Sequence, residues 1–315
     1  MIIMRKIKHH FIPKFYLKGF CDTENSIYVY CKKTGKWLGN PPGHINCNCI
    51  ACINDFYSIE TKDGESDTFE NALSDIIDNT ATTKVFTAIN YQKTLSTDER
   101  ERLSMFIAFM IVRTPHYRSH LDQLLSKDFN TYLQIMANNE KRFLEWAEDY
   151  KKREGQPLAD NLEKLRLDIQ KGILKPRPHQ NFMLQAIKDL AFTLAPLIIE
   201  MKWTFLETRG NIKFITSDNP VIIRNSNVNG YYRPSLCMNN TQLIFPISKN
   251  QCLIAIKTEQ NIVERKNADD FLVKEINQNI AKYACEYIYS CSQTNFDYNS
   301  TNTLPSPKGR DGEKE

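Results

Sequence analysis

The hydrophobic spacing of this 315-residue chain changes character twice, and that change limits its fold more than any single residue does. Between about residues 67 and 200 apolar side chains recur mostly three and four apart, as in Phe69, Leu73, Ile76, Ile77, Ala81, Val85 and Ile89, which is the spacing of one helix face. On either side the apolar segments are short and bounded by Gly, Pro, Asn and Ser. They fall at 27–30, 37–38 and 56–60 before the helical stretch, and at 203–205, 214–215, 221–223, 243–245, 253–256 and 287–290 after it. This pattern predicts an α+β fold in which N-terminal and C-terminal β segments surround a mainly helical middle. Residues 1–291 read as a single domain, with the helical middle at 67–200 and a β-rich part at 202–291, and residues 292–315 read as a flexible polar tail.

Local signals place several boundaries. Ser96 with Glu99 is a capping box opening a helix that stops near Arg113-Thr114-Pro115, and Asp67 with Glu70 is a second box opening the helix before it. The helical pattern from 116 to 172 is interrupted at Gly155-Gln156-Pro157. Residues 180–200 are apolar on most sides and predict a central buried helix. Two hairpins are expected, one turning near Gly35 and one at Arg209-Gly210-Asn211 between 203–205 and 214–215, while 39–54 reads as a loop. A last helix is expected over about 268–284.

Composition narrows the class without naming a function. A chain that is 41% hydrophobic and 25% charged can bury a sizeable core, and its net charge of +4 is too small to imply a polyanionic partner. The longest uninterrupted apolar run, 105–112, is about eight residues against the roughly twenty of a membrane-spanning helix, so no membrane association is expected. The first residues lack the apolar core of a secretory signal, and nine scattered cysteines fit reduced thiols, so the expected compartment is the cytoplasm.

Five segments together resemble the family catalogued as Domain of Unknown Function 4238: His9-His10-x-x-Pro13-x-x-Tyr16-Leu17-x-x-Phe20, Phe56-Tyr57-Ser58-Ile59-Glu60, Glu70-Asn71-Ala72-Leu73, Ile215-Thr216-Ser217-Asp218-Asn219-Pro220-Val221 and Phe245-Pro246-Ile247-Ser248. The resemblance covers roughly residues 8–291. It implies no activity, substrate or cofactor, and its most characteristic polar position maps onto the His9-His10 pair.

That pair is the first candidate site. Placed just before a short helix opened by Pro13, His10 would meet the positive helix end, which favours neutral imidazole, a base or metal ligand; His9, one residue earlier in extended chain, would point the other way. The structural alternative ties one ring to a backbone carbonyl. Asp218 and Asn219, in a turn between two strands, could hold a cation or ligand or orient a histidine, or could close the turn by bonding their own backbone. Arg113 suits an anion or the carbonyls of its own helix end, and His179 repeats the helix-start setting of His10. His116 and His120 lie four apart without the glutamate of a zinc-protease motif. His44, Cys47, Cys49 and Cys52 would suffice for zinc but lack a second ligand pair, so reduced thiols are preferred.

The helical middle is locally basic through Lys141, Arg142, Lys151, Lys152, Arg153 and Lys164, a surface that could follow nucleic-acid phosphates, although interspersed acids favour a salt-bridged face. Two function classes follow. One is a hydrolase, metal-assisted on phosphodiesters, with His10 or His9 as base or ligand, Asp218 and His179 in catalytic support and Arg113 and Asn219 on the substrate; a divalent metal is the cofactor it would use. The other is a non-catalytic regulatory protein using the same groups to bind a ligand or partner.

Overall fold

A computed structural model describes residues 7–22, 25–39, 44–61, 64–77, 80–227 and 234–293. In chain order these form β1 (Lys8–His10), α1 (Lys14–Lys18), β2 (Ser26–Cys31), β3 (Lys36–Trp37), β4 (His44–Asn46), a 3-10 turn over Cys47–Cys49, β5 (Cys52–Asn54), β6 (Ile59–Thr61), β7 (Gly64–Ser66), α2 (Thr68–Ile77), α3 (Thr80–Asn90) and α4 (Thr97–Val112). There follow α5 (Pro115–Ala137), α6 (Glu140–Glu154), α7 (Leu162–Gln170), α8 (Gln180–Ile199), β8 (Lys202–Thr208), β9 (Thr216–Ser217), β10 (Ile222–Arg224), β11 (Gln242–Ser248), β12 (Gln251–Ile256), β13 (Val263–Ala268), α9 (Asp270–Tyr283) and β14 (Tyr287–Ser290). The class is α+β, with strands at both ends of a helical middle.

The chain groups into two compact units, one formed by 115–186 and the other by the segments before and after it. In the larger unit a five-stranded sheet runs in the order β10-β11-β12-β8-β13, antiparallel except where β13 lies parallel to β8. Both faces of this sheet are covered, which is why β11 reads as a continuous apolar run rather than an alternating one. Leu206, Ile244 and Cys252 pack with Val273, Ile276 and Ile280 of α9 on one face. Phe245 meets Tyr16 of α1 and Phe106 of α4 on the other, with Phe86 of α3 against both of those rings. A second sheet, β3-β2-β14-β9 with β4 also on β2, joins the N-terminal and C-terminal segments.

The first hairpin forms as expected, β2 pairing with β3 through Gly35 at φ 65°. The second does not. After β8 the chain passes Arg209-Gly210-Asn211 and enters the other sheet through β9, which pairs with β14; β8 takes β12 and β13 as neighbours instead. A Cβ at Gly210 would stand 2.1 Å from Oδ1 of Asp270, so this turn is shaped by packing on α9 rather than by a hairpin register.

Other expectations shift in detail. The 39–54 loop contains β4 and β5, the latter paired with β1. Phe56 and Tyr57 lie in a turn, and the strand begins only at Ile59. The helix expected over 67–89 is two helices, α2 and α3; α4 stops at Val112, as expected near Arg113-Thr114-Pro115, and Pro115 then opens α5. The Ser96–Glu99 capping box is present, each side chain bonded to the other's backbone N–H. The tail expected from 292 lies outside the described residues beyond 293.

The helix expected to be buried, α8, is only partly so: Ile187, Ala191 and Ile198 are buried while Phe182 and Phe192 are about half exposed. By length and composition it is the one described helix apolar enough to cross a membrane, with a mean hydropathy of 1.6 over its best window. Lys188 and Asp189 interrupt its apolar sequence, and its end is fastened to β8 by the Trp203 indole N–H donating to the Ile198 carbonyl at 2.9 Å.

In the smaller unit α5, α6 and α7 enclose Leu133, Ala137, Phe143 and Ile169. Its charged face carries the ion pairs Arg166–Glu163, Lys152–Asp149 and Arg153–Glu154.

One buried hydroxyl ties the two ends of the larger unit. Tyr16 Oη donates to the Pro246 carbonyl at 2.7 Å and lies 2.8 Å from Thr216 Oγ1, all of it buried. Tyr16→Phe removes the hydroxyl and leaves a buried carbonyl without its donor, so the urea midpoint is expected to fall by the equivalent of about 1–3 kcal/mol with an unchanged slope.

Candidate functional site

Pairing with β5 sets the two histidines. His9 lies opposite Ile53 and His10 opposite Cys52, and strand alternation sends their rings to opposite sides, as the sequence predicts. His9 is fully buried. Its Nδ1 accepts the Tyr57 N–H at 2.8 Å, so the ring proton belongs on Nε2, which faces Asp67 Oδ1 at 3.7 Å; the ring also stacks on Tyr57 with centroids 5.8 Å apart. Both ring nitrogens therefore face protein groups.

His10 is half-buried. Its Nε2 lies 3.1 Å from the Asn48 carbonyl, which can only accept, so the ring proton sits on Nε2 and Nδ1 keeps its lone pair. Burial lowers the imidazole pKa below its ordinary 6.5; the Asn48 carbonyl raises it, and Lys14, Arg113 and Lys8 lower it. Sequence reasoning assigns the neutral ring to a helix dipole. The helix is only five residues long and begins after Pro13, so burial and three neighbouring cations account for the shift.

Because the folded pKa lies below the unfolded one, the unfolded chain binds more protons between the two values. His10's share of stability is therefore present above about pH 6.5 and is lost as the pH falls towards the folded pKa. An imidazole NMR titration is expected to place His10 below 6.5, and His10→Gln is expected to flatten the stability profile in that window. A His10 pKa at or above 6.5 contradicts this assignment.

Arg113 follows the last residue of α4, and its guanidinium turns inward, 2% exposed. Nη2 donates to the His10 carbonyl, Nε donates to Tyr57 Oη at 3.2 Å, and the group lies 5.5 Å above the Tyr57 ring. Tyr57 Oη in turn donates to the Arg113 carbonyl at 3.3 Å. A helix end, a strand and a turn thus meet on one arginine and one tyrosine.

The Asp218 turn is a second joint. Ser217 Oγ donates to the Asn219 carbonyl and accepts the Asn219 N–H, closing the turn on itself. Asp218 Oδ1 accepts the Cys285 N–H at 2.8 Å; Oδ2 accepts those of Glu286 at 2.7 Å and Tyr287 at 3.0 Å. Asn219 Nδ2 donates to the Tyr283 carbonyl, and Lys32 Nζ donates to those of Ala281 and Ala284, so the end of α9 is sealed from both sides. Burial pushes the Asp218 carboxyl up from its ordinary value, while the three N–H bonds and Lys32 pull it back.

The remaining candidates make local contacts, each within its own unit. His179 belongs to the smaller unit, where it is exposed and its Nδ1 accepts the Asn181 N–H at the head of α8. His44 pairs with Asp22, the buried Cys47 thiol faces Cys21, Cys49 is exposed, and Cys52 Sγ turns to the Cys49 carbonyl. Among the described residues no group of three His, Cys, Asp or Glu side chains is arranged to hold a metal ion.

A family model described as protein of unknown function, DUF4238, matches residues 8–294. The chain belongs to that family. Comparison with curated proteins and with solved structures gave no match. The DUF4238 segments quoted from the sequence are largely the joints just described: Tyr16 with Thr216 and Pro246, His9 with Tyr57, and Asp218 with the start of β14. The sequence nominates neither Tyr57 nor Asp67 nor Asn48 for the site. Tyr57 carried a usable signal, being in a motif of the same family set as His9, but its strand-like neighbours concealed a turn; Asn48 acts through its backbone carbonyl, which no side-chain pattern reveals.

Proposed function

We propose that the His10 face binds a phosphate-bearing ligand and that His10 acts there as the base in hydrolysis of a phosphodiester. The observation that carries this reading is the state of His10: a half-buried neutral ring, oriented by the Asn48 carbonyl through Nε2, with no described residue bonded to its Nδ1 lone pair and with Lys14, Arg113 and Lys8 acting on it electrostatically. In the step envisaged, Nδ1 takes a proton from a water that attacks phosphorus. The P–O ester bond breaks, and the departing oxygen takes its proton from solvent. Lys8 and Lys14, both exposed, supply positive charge to the phosphate, and the buried Arg113 adds to the field without touching it.

His9, Asp218 and Asn219 are assigned to architecture in this reading, because their polar atoms are engaged by the fold. The same engagement supports a second reading, a binding protein without turnover, since among the described residues no carboxylate contacts His10. The cytoplasm is the proposed compartment, all nine cysteines being free thiols.

The test is hydrolysis of single-stranded and duplex nucleic acid and of a simple aryl phosphodiester, with and without added Mg, Mn or Zn, comparing the parent with His10→Gln. The expected loss is about a hundredfold or more. An unchanged rate removes His10 from the chemistry. If no substrate turns over but inorganic phosphate shifts the His10 imidazole resonances, the binding reading stands in its place.

A further inference from the structure

A second place in the larger unit gathers charged and polar side chains around a cleft, distant in the chain from His10 and independent of the reading above. Where β13, β8 and β12 run side by side, the register aligns Asn267, Glu207 and Gln251 in one cross-strand row and Arg265, Phe205 and Leu253 in the next. The last residues of α3 and the turn after it pass over this end of the sheet, and a cleft of about 270 Å³ remains, lined by the first row, by Arg265 and Phe205 of the second, and by Gln92 and Arg209.

The charges on its wall are unevenly matched. Glu207 receives the Gln92 side-chain amide on Oε2, and its Oε1 is 4.0 Å from Arg209 Nε. Arg265 lies 5.0 Å above the Phe205 ring and donates to the backbone carbonyls of Lys93 at 2.8 Å and Ile89 at 3.5 Å, contacts that carry no negative charge. Burial lowers its pKa and only Glu207 opposes that. Lys266 pairs with Glu264 but is mostly exposed. Lys266 and Glu264 share the other face of β13, so the cations that face the cleft are Arg265 and Arg209, against the one carboxylate of Glu207.

The back of the cleft has the opposite need. Gln251 is 5% exposed, and its Nε2 donates to the Ile89 carbonyl at 3.1 Å, which fixes which end of the amide is oxygen. Its Oε1 is buried with no hydrogen-bond donor from any described residue. A buried acceptor in that state is costly, and a ligand N–H removes the cost. Glu207 lies directly across the strand pair from it.

We propose that this cleft binds a free α-amino acid, its carboxylate held by Arg265 and Arg209 and its ammonium by Glu207 and the Gln251 amide oxygen. The volume suits a ligand of that size and is small for a nucleotide. A guanidinium fork is the group that recognises a carboxylate in two places at once, and the apolar Phe205 floor limits water around it.

Calorimetric titration of the full chain with a panel of free L-amino acids, and separately with acetate, methylammonium and inorganic phosphate, tests this. At least one amino acid is expected to bind at millimolar or lower concentration, with acetate and methylammonium each weaker by about tenfold or more. Arg209→Ala, an exposed position whose loss leaves the core intact, is expected to weaken the amino acid about tenfold. Glu207→Gln is expected to weaken the amino acid similarly while leaving acetate unchanged. The proposal is overturned if no amino acid binds, if phosphate or acetate binds as tightly as the best amino acid, or if both variants keep the parent affinity.

Discussion

Asp218→Ala is expected to cost about 3–5 kcal/mol of unfolding free energy, the largest effect of any single polar substitution in the chain. The carboxylate is 6% exposed and accepts three consecutive backbone N–H groups, those of Cys285, Glu286 and Tyr287, at the point where α9 ends and β14 begins. Removing it leaves three donors facing a gap too polar to stay dry. Asp218→Asn keeps one carbonyl oxygen but turns an amide NH2 toward remaining donors, so it is expected to recover only part of the loss. The consequence extends past α9, because β14 joins β2 to β9 and thereby holds the N-terminal segment to the C-terminal one. Urea unfolding followed by far-ultraviolet circular dichroism measures this directly. A midpoint within experimental error of the parent would mean that the carboxylate is not holding these amides in solution.

The second large effect is expected at Arg113. Replacing it by Met keeps most of the buried volume but removes the donors to the His10 carbonyl and to Tyr57 Oη, which is expected to cost about 3 kcal/mol or more. Arg113→Lys keeps the charge and is still expected to fail substantially, because one ammonium cannot reproduce two donors set in a planar fork. A second readout separates this from simple loss of packing. Arg113 is one of the cations that lowers the His10 pKa, so in Arg113→Met the His10 imidazole is expected to titrate closer to 6.5 than in the parent, while Arg113→Lys holds it lower. An unshifted His10 titration in Arg113→Met would show that the guanidinium and the imidazole are not coupled.

The alternation of strand-rich ends with a helical middle was legible because periodicity reports burial, and burial decided it. The capping box at Ser96 was legible for the same local reason: its two hydrogen bonds lie within four residues. What local pattern does not carry is which strand meets which. Arg209-Gly210-Asn211 has the composition of a hairpin turn, yet the following strand leaves for another sheet because β8 is already flanked by β12 and by a parallel β13 far along the chain. Lys266 and its neighbours on β13 are charged and exposed, as suits an edge strand, and so gave no apolar signal. Residues 52–54 were hidden in a cysteine-rich loop because their partner is a three-residue strand carrying two histidines.

The candidate site was legible as a location and not as an arrangement. The opposite facing of His9 and His10 was legible, but the ring expected to turn elsewhere, His9, is the one wholly enclosed, and its partners come from Tyr57 and Asp67. Asp218 illustrates the limit most clearly. A carboxylate between Ser and Asn before proline has the composition of both a turn and a ligand site, and only the proximity of residues 285–287 distinguishes them.

The proposed division of labour has Asp218 hold the fold together and His10 react. Phosphodiester hydrolysis by His10→Gln and by Asp218→Asn, each assayed at a temperature where circular dichroism shows it folded, tests it most directly. Folded Asp218→Asn is expected to keep the parent rate, and His10→Gln to lose about a hundredfold or more. A folded Asp218→Asn that is inactive beside a His10→Gln that is not would contradict it.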